Sequence, residues 1–331
     1  MENTTIRLAN RPDRDIADDT FQFGREPVPA LRDGDIQVAI EYVSIDPTMR
    51  TWVSDFESYI PPVALGDVMR AGAAGEVIAS RTPEFSVGNK VLGLLGVQSI
   101  YTGSAKNVST LDTEIAPIKS YLGGLGGTGL AAYFGLLRVG AMTTDETVVI
   151  STAAGAVGHV AVQIAKLKGN RVIGIAGGPE KCRRVVDHYG ADACIDYKSE
   201  DVGAELGKHC PKGIDVYFDN VGGTMLENAL DNLAMGARIV ICGAISDYNN
   251  LETIHAPRNY LNLIGKGARM EGLLNIHWKD QNPQARAEMQ QWVADGQLVF
   301  EEQIERGIEN FPAILKMLFR GQNNGKLLLR V

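Results

Sequence analysis

The chain has 331 residues, enough for two domains with separate cores, and its 45% hydrophobic and 22% charged content is that of an ordinary globular protein. A formal net charge of -8 argues against nucleic acid or an anionic membrane as the main partner. No apolar run approaches the roughly 18 residues of a transmembrane helix, and an N-terminus carrying Glu2, Asp13, Asp15, Asp18 and Asp19 is too acidic for a signal peptide.

Residues 1–120 read as β-rich. Short runs at Thr5–Leu8, Ile36–Val43, Gly75–Ala79 and Lys90–Leu95 are punctuated by Gly, Pro, Asp and Asn, which predicts a small barrel or sandwich. Ser44–Trp52 and Ser58–Met69 interrupt the pattern, and Pro47, Pro61 and Pro62 predict loops there. Those loops carry Met49, Trp52, Phe56, Tyr59 and Ile60. So much apolar surface either packs against a second domain or lines an apolar substrate pocket. The chain holds neither Cys nor His before His159, so the ligand sets of the zinc dehydrogenases cannot be built. Cys182, Cys194, Cys210 and Cys242 show no paired spacing and read as reduced cysteines of a cytosolic protein.

From Tyr121 the texture changes. Gly123–Leu137 is a glycine-rich start followed by a helical apolar face at Leu130, Tyr133, Phe134 and Leu137, expected to cross between domains near a cofactor. Thr147–Ile150 reads as a strand, Ser151–Gly155 as a small-residue turn, and a helical pattern opens at Ala156. Strand, tight turn and helix form the context in which a helix N-terminus holds a pyrophosphate. Gly155 and Gly158 are the positions where a side chain would keep the backbone or the helix from closing in; a close helix–strand contact is the alternative, and the next strand following at the expected interval favours the dinucleotide reading. After the next strand, Arg171–Ala176, an NAD site usually has an acidic residue. Here the chain reads Ala176-Gly177-Gly178-Pro179-Glu180-Lys181, which leaves room for a 2′-phosphate with Lys181 as its partner, unless Lys181 is a solvated first-turn residue.

A helix over Pro179–Tyr189, strands over Ala193–Tyr197, Ile214–Phe218 and Arg238–Cys242, and a helix over Met225–Leu233 continue the alternation, which predicts a parallel, doubly wound α/β sheet. Ligands then bind beyond the strand ends at Ser151-Thr152, Gly177, Tyr197, Asp219–Gly222 and Gly243–Ser246. Helices follow over Gln284–Asp295 and Ile308–Phe319, and Gly325–Val331 is a strand that could return to the N-terminal domain. The five histidines stand beside no Cys or Ser nucleophile and read as surface or cap residues.

Several motifs now define a resemblance: Asp46-Pro47 with Met49-Arg50, Ser58-Tyr59 with Pro61-Pro62, Leu65-Gly66 with Val68-Met69, Gly129-Leu130 with Ala132-Tyr133, Gly155–Gly158, Phe218–Gly223, Cys242–Ser246 with Tyr248-Asn249, and Asn323–Lys326. Over nearly its whole length the sequence resembles the zinc-independent medium-chain dehydrogenase/reductases. Within them it is similar to the leukotriene B4 12-hydroxydehydrogenase/prostaglandin reductase group, with its curcumin reductase-like and alkenal double-bond reductase-like members. The resemblance implies a GroES-like barrel domain over 1–120 and 305–331, a Rossmann domain over 121–304, and a homodimer. It also implies NADPH: Gly155, Ala156, Val157 and Gly158 on the pyrophosphate, Lys181 and Tyr197 on the 2′-phosphate, and Asn220 with Cys242, Gly243, Ala244, Ile245, Ser246 and Tyr248 along the adenosine and phosphates. Leu273, Leu274 and Asn275 would meet the nicotinamide amide, and Asn323 would close the site. The less favoured alternatives are strand-end caps for Tyr197 and Asn220 and a plain turn for Asn323.

The family reaction is reduction of the carbon–carbon double bond of an α,β-unsaturated ketone or aldehyde, with hydride to the β-carbon and charge developing on the carbonyl oxygen. Tyr248 is the expected donor to that oxygen and Tyr59 the second candidate. Thr48, Arg50, Tyr59 and Tyr101 are the expected substrate contacts, Arg50 otherwise orienting a loop or contacting the cofactor phosphate, with a structural salt bridge an equal alternative. Two positions depart from the family: Thr48 stands where Tyr is usual, and Val97–Ile100 lack the aromatic often found before Tyr101. Quinone reduction and NADPH binding without turnover are the alternative functions.

Overall fold

The computed structural model describes residues 1–56 and 60–331. Tyr59, and Ser58 beside it, lie outside the described residues. The chain forms two compact units, 1–123 with 302–331 and 124–301, so the seams fall at Gly123/Gly124 and Glu301/Glu302 rather than at 120/121 and 304/305.

The first unit opens with β1 (Glu2–Leu8) and β2 (Phe21–Pro27), an antiparallel pair in which Ile6 faces Phe23. It continues through β3 (Asp35–Ser44), α1 (Met49–Trp52), β4 (Ala73–Ser80), β5 (Lys90–Gly93), β6 (Ile100–Ser104), β7 (Val108–Thr110) and α2 (Ile118–Leu122). The second unit begins with α3 (Gly127–Phe134), which runs into a π-helical turn, Gly135–Val139. There follow β8 (Thr147–Ser151), α4 (Gly158–Leu167), β9 (Arg171–Ala176), α5 (Pro179–Asp187), β10 (Ala193–Asp196), α6 (Val202–His209), β11 (Ile214–Asp219), α7 (Gly223–Leu230), β12 (Leu233–Ile241), α8 (Asn262–Lys266), β13 (Arg269–Gly272) and α9 (Asn282–Ala294). The chain then completes the first unit with β14 (Glu302–Arg306), α10 (Phe311–Phe319) and β15 (Lys326–Arg330).

The first unit is a mostly antiparallel sheet in the order β14-β15-β3-β4-β5-β7, with β6 also on β3. On β3, Ile36, Val38 and Ile40 alternate inward to a core shared with Leu327 and Leu329 of β15. The apolar residues of the Ser44–Trp52 stretch belong to this core as well. Pro47 is followed by a single helical turn, α1, which turns Met49 and Trp52 into the unit's own interior, and Ile60 packs against it. The expectation of a loop applied to an outside surface is corrected for these three residues; Phe56 is exposed.

The second unit carries one six-stranded parallel sheet in the order β10-β9-β8-β11-β12-β13. The first three strands run outward one way and the last three the other, the doubly wound order with its switch between β8 and β11. Val148–Ile150, Val216–Phe218 and Ile239–Val240 are continuously buried, as parallel strands covered on both faces must be. The predicted Met225–Leu233 helix ends early. Asn232 O accepts from the Ile214 amide, and Leu233 already starts β12 opposite Ile214. The first cofactor helix begins at Gly158 rather than Ala156.

Candidate active site

The crevice beyond the β8, β11 and β12 ends is built from backbone. Thr152 takes φ +53, a left-handed conformation that turns the chain sharply off β8. A β-carbon on Gly158 would lie 2.1 Å from the Thr152 carbonyl oxygen and 2.8 Å from Ala153 Cα, so this position admits only glycine. Gly155 is also tight, at 2.7 Å from Thr152 Cγ2, while Ala156 and Val157 are half-buried on the way into α4. Beside this turn the fully buried Ser151 hydroxyl meets Asp219 Oδ1 at 3.2 Å and accepts from the Asn220 amide at 2.8 Å. The Asn220 side chain donates to Ser151 O at 2.7 Å, which makes it a cap on β8.

Asp219 is fully buried, and burial pushes its carboxyl up from the usual range. The amides of Val221 (3.0 Å) and Gly222 (3.1 Å) and the Tyr217 hydroxyl (3.2 Å) work against that shift by donating to it. The β12 end is then stitched to the β11 end: Cys242 and Gly243 amides donate to Asp219 O, Ile245 to Asn220 O, and the Ser246 amide and hydroxyl to Val221 O. Gly222, at φ +75, has Ala244 3.2 Å from where its β-carbon would be. The Cys242 thiol is pushed up to about 12 by burial and Asp219, so it stays protonated. The loop folds Tyr248 back over itself, and its phenol oxygen accepts from the Ala244 amide at 3.3 Å. Beyond β12, Leu273 N–H donates to Ile241 O, and Leu274 follows it half-buried. Asn275 donates to Gly127 O at 2.9 Å, while its buried Oδ1 has no partner. An orphaned acceptor of that kind suits the amide N–H of a carboxamide ligand.

The β9 and β10 ends are built from side chains instead. Gly178, at φ +97, turns the chain into α5 and donates its amide to Asp196 Oδ1 at 2.7 Å. Tyr197 lays its ring over Gly177, where a β-carbon would be 2.8 Å from the hydroxyl. Lys181 is held below the usual lysine range, first by burial and then by the like charges of Lys198 and Arg184. A lysine whose charge is disfavoured by neighbouring cations fits an anion such as a 2′-phosphate. Lys198 escaped the sequence reading because it directly follows Tyr197 past a strand end, where a lysine is ordinarily solvated.

Other site expectations fare differently. Arg50 is 1% exposed, and its guanidinium donates to Arg14 O at 2.8 Å and to the Asp13 and Pro12 carbonyls; its expected substrate contact is corrected to a brace for the 12–14 loop. Thr48 stands half-buried at the residue before α1, and Tyr101 packs partly on the core of the first unit. Asn323 is buried and donates to Gly325 O at 3.0 Å. Two bonds to Lys326 went unread: its buried ammonium donates to Asp46 Oδ1 at 2.6 Å and Ile45 O at 2.9 Å, joining the motifs at the two ends of the sequence. His159 is 1% exposed, not a surface residue. It sits 2.8 Å from Gly155 O through Nδ1, and its Nε2 accepts from the Glu301 amide at 3.3 Å. The i to i−4 spacing from Gly155 drives it inward.

A parallel sheet in this order, with a glycine-only turn at its first strand and a cationic cluster at its second, follows the plan of the dinucleotide-binding oxidoreductases. Residues 4–111 match the family described as the N-terminal domain of oxidoreductase, and residues 156–292 that of the zinc-binding dehydrogenases. The Bacillus subtilis (strain 168) protein YfmJ, named for NADP-dependent oxidoreductase activity, is 40% identical over 98% of this chain and 97% of its own. The NADPH-dependent curcumin reductase of Escherichia coli (strain K12) is 36% identical over 98% of this chain and 95% of its own. The crystal structure of CurA from Vibrio vulnificus in complex with NADPH matches with a TM-score of 0.94 at 36% identity over 99% of both chains. The chain belongs to the zinc-independent medium-chain dehydrogenase/reductases, in the group of the prostaglandin and curcumin reductases. The name of the second matched family carries no ligand set here: among the described residues no group of three or more His, Cys, Asp or Glu is placed to hold a metal ion.

Proposed function

We propose that this protein is an NADPH-dependent reductase of the carbon–carbon double bond in α,β-unsaturated ketones and aldehydes. The observation that carries the reading is the pairing, in one sheet, of the Lys181–Tyr197–Lys198 cluster beyond β9 and β10 with the Tyr248 phenol beyond β12. Full-length likeness to a curcumin reductase supports the substrate class.

NADPH is the cofactor, and when bound it supplies a hydride for the β-carbon of the substrate. Gly155, Ala156, Val157 and Gly158 hold the pyrophosphate and Lys181, Tyr197 and Lys198 the 2′-phosphate. Asn220 and Cys242–Ser246 line the adenosine and phosphates. Leu273, Leu274 and Asn275 take the nicotinamide amide, Asn275 through its orphaned oxygen, and Asn323 closes the site. The chain's own chemical task is to stabilise the oxyanion of the developing enolate. Tyr248 does this by turning its O–H to the carbonyl oxygen, its own oxygen already braced by the Ala244 amide. Tyr59 is the second candidate donor, and Thr48 and Tyr101 are the substrate contacts.

The deciding experiment follows NADPH oxidation at 340 nm with 4-phenyl-3-buten-2-one and identifies the product by NMR. A saturated ketone supports the reading. An allylic alcohol would mean that hydride reaches the carbonyl and that Tyr248 is misassigned. Turnover of quinones alone, or NADPH binding without oxidation, would replace it with one of the two alternative functions.

We further infer a homodimer through β13, the end strand of the parallel sheet, which is exposed along its length and flanked by exposed Tyr260, Leu261, Ile264 and Met270. Sedimentation of Ile264→Asp against the parent tests it; a parent that sediments as a monomer removes it. A cytoplasmic setting fits the four free cysteines. Among the described residues no helix is long and apolar enough to cross a membrane.

A further inference from the structure

The imidazole of His159 lies behind the turn that leaves β8, and its two nitrogens face opposite kinds of partner. Nδ1 is 2.8 Å from Gly155 O, which can only accept, and Nε2 is 3.3 Å from the Glu301 N–H, which can only donate. The ring is therefore the neutral tautomer with its proton on Nδ1.

Sequence spacing explains how the ring is held. His159 and Gln163 stand four apart on one face of α4, and Val299 and Glu301 stand two apart on the segment leading into β14. Gln163 Nε2 donates to Val299 O at 3.0 Å, and Gln163 Oε1 accepts from the Val299 amide at 2.8 Å. The helix thus grips alternate residues of that segment with two buried side chains. Glu301 is anchored a second time, because its carboxylate accepts from the Tyr189 hydroxyl and from Arg184. The buried Tyr189 ring in turn packs on the imidazole, 5.4 Å between centroids.

What His159 fixes is the orientation of one peptide plane. Gly155 O receives a second bond from the His159 amide at 3.0 Å, while the Gly155 amide closes the turn on Thr152 O at 2.8 Å. In a trans peptide the carbonyl and the following N–H point in opposite directions. Gly155 O is drawn inward to a side chain that is 1% exposed, so the Ala156 N–H is turned outward.

We propose that His159 is a positioning residue of the cofactor site. Through Gly155 it aims the Ala156 amide at the dinucleotide pyrophosphate, and the bond from Glu301 keeps the imidazole proton on the nitrogen that does so. The proposal rests on the NADPH reading above, since it needs a pyrophosphate at residues 155–158. NADPH and NADH share that pyrophosphate, so His159 serves both alike, in contrast to Lys181 and Lys198.

His159→Ala, His159→Asn and His159→Gln are each titrated with NADPH and with NADH by protein fluorescence, and their folding is checked by circular dichroism. His159→Ala loses the Nδ1 donor and should raise both dissociation constants about tenfold, the order of one hydrogen bond to a charged group. His159→Asn carries an amide nitrogen at the reach of Nδ1 and should restore most of that affinity. His159→Gln reaches past Gly155 O to the Glu301 amide and should stay as weak as His159→Ala. Unchanged affinity in His159→Ala, a loss confined to NADPH, or His159→Asn binding no tighter than His159→Gln overturns the proposal. Where His159→Ala does not fold, the Asn and Gln variants decide by themselves. A parent protein that binds neither dinucleotide overturns the NADPH reading, and the proposal with it.

Discussion

The two ends of the crevice in the second unit solve the same problem with different materials. Beyond β8, β11 and β12 the surface is main chain: a Thr152 in left-handed conformation, glycines with no room for a side chain, and a buried Asp219 that binds amides together. Beyond β9 and β10 it is side chain, an exposed tyrosine and two lysines around one glycine turn. A wall of main chain fixes where a ligand sits but has little scope to change what it binds. A cluster of side chains on a turn can be retuned by single substitutions, so under the proposed function discrimination between the two nicotinamide dinucleotides is expected at that end.

The comparison can be tested from its strongest consequence downward. Tyr248→Phe removes the proposed oxyanion donor and should lower kcat for an aryl enone by about 10²- to 10³-fold with the KM for NADPH unchanged; an undiminished kcat removes Tyr248 from the chemistry. Gly158→Ala forces the Thr152 carbonyl away and should weaken NADPH by on the order of a hundredfold, measured by fluorescence titration, and NADH by the same factor. An effect on NADPH alone would break the division between the two ends. Lys198→Ala should raise the KM for NADPH about tenfold, an ionic hydrogen bond's worth of ~1.4 kcal/mol, and leave NADH turnover as it was. That loss should shrink as salt is added, as expected of an exposed charge. Asn220→Ala loses the β8 cap and should cost about 1 kcal/mol of stability, seen as a drop of a few degrees in Tm.

Much of the main-chain end was legible in the sequence, because glycine leaves a mark wherever backbone approaches backbone. Gly155 and Gly158 stand where a β-carbon would collide, and Gly222 takes a φ of +75. The parallel, doubly wound sheet was legible in the alternation of strand and helix patterns, and runs such as Val148–Ile150 and Val216–Phe218 are buried on both faces as it requires. The side-chain end was half legible. Lys181 showed itself through the missing acidic residue, whereas the nearness of Lys198 to it depends on how α5 lies beside β10, which no local pattern encodes. β13 was missed because Arg269–Gly272 is exposed along its whole length and has no apolar alternation to reveal it. Arg50 and Lys326 were misread or unread for the opposite reason. A charged residue in a sequence suggests solvent, and only the carbonyls of residues 12–14 and the Ile45–Asp46 segment explain why these two are buried.

The pairing of β15 with β3, fastened by Lys326 on Asp46, also sets an order of events during synthesis. Tyr42–Ser44 emerge from the ribosome early, yet their strand partners, Leu328–Arg330, are among the last residues made. Residues 124–301 have all their sheet neighbours in one continuous stretch and can close first. Until translation is nearly finished, the Tyr42–Ser44 end of β3 therefore waits with one edge bare, while β6 covers Asp35–Ala39. A nascent chain arrested at residue 320 should be cut by protease within 1–123 and spared within 124–301.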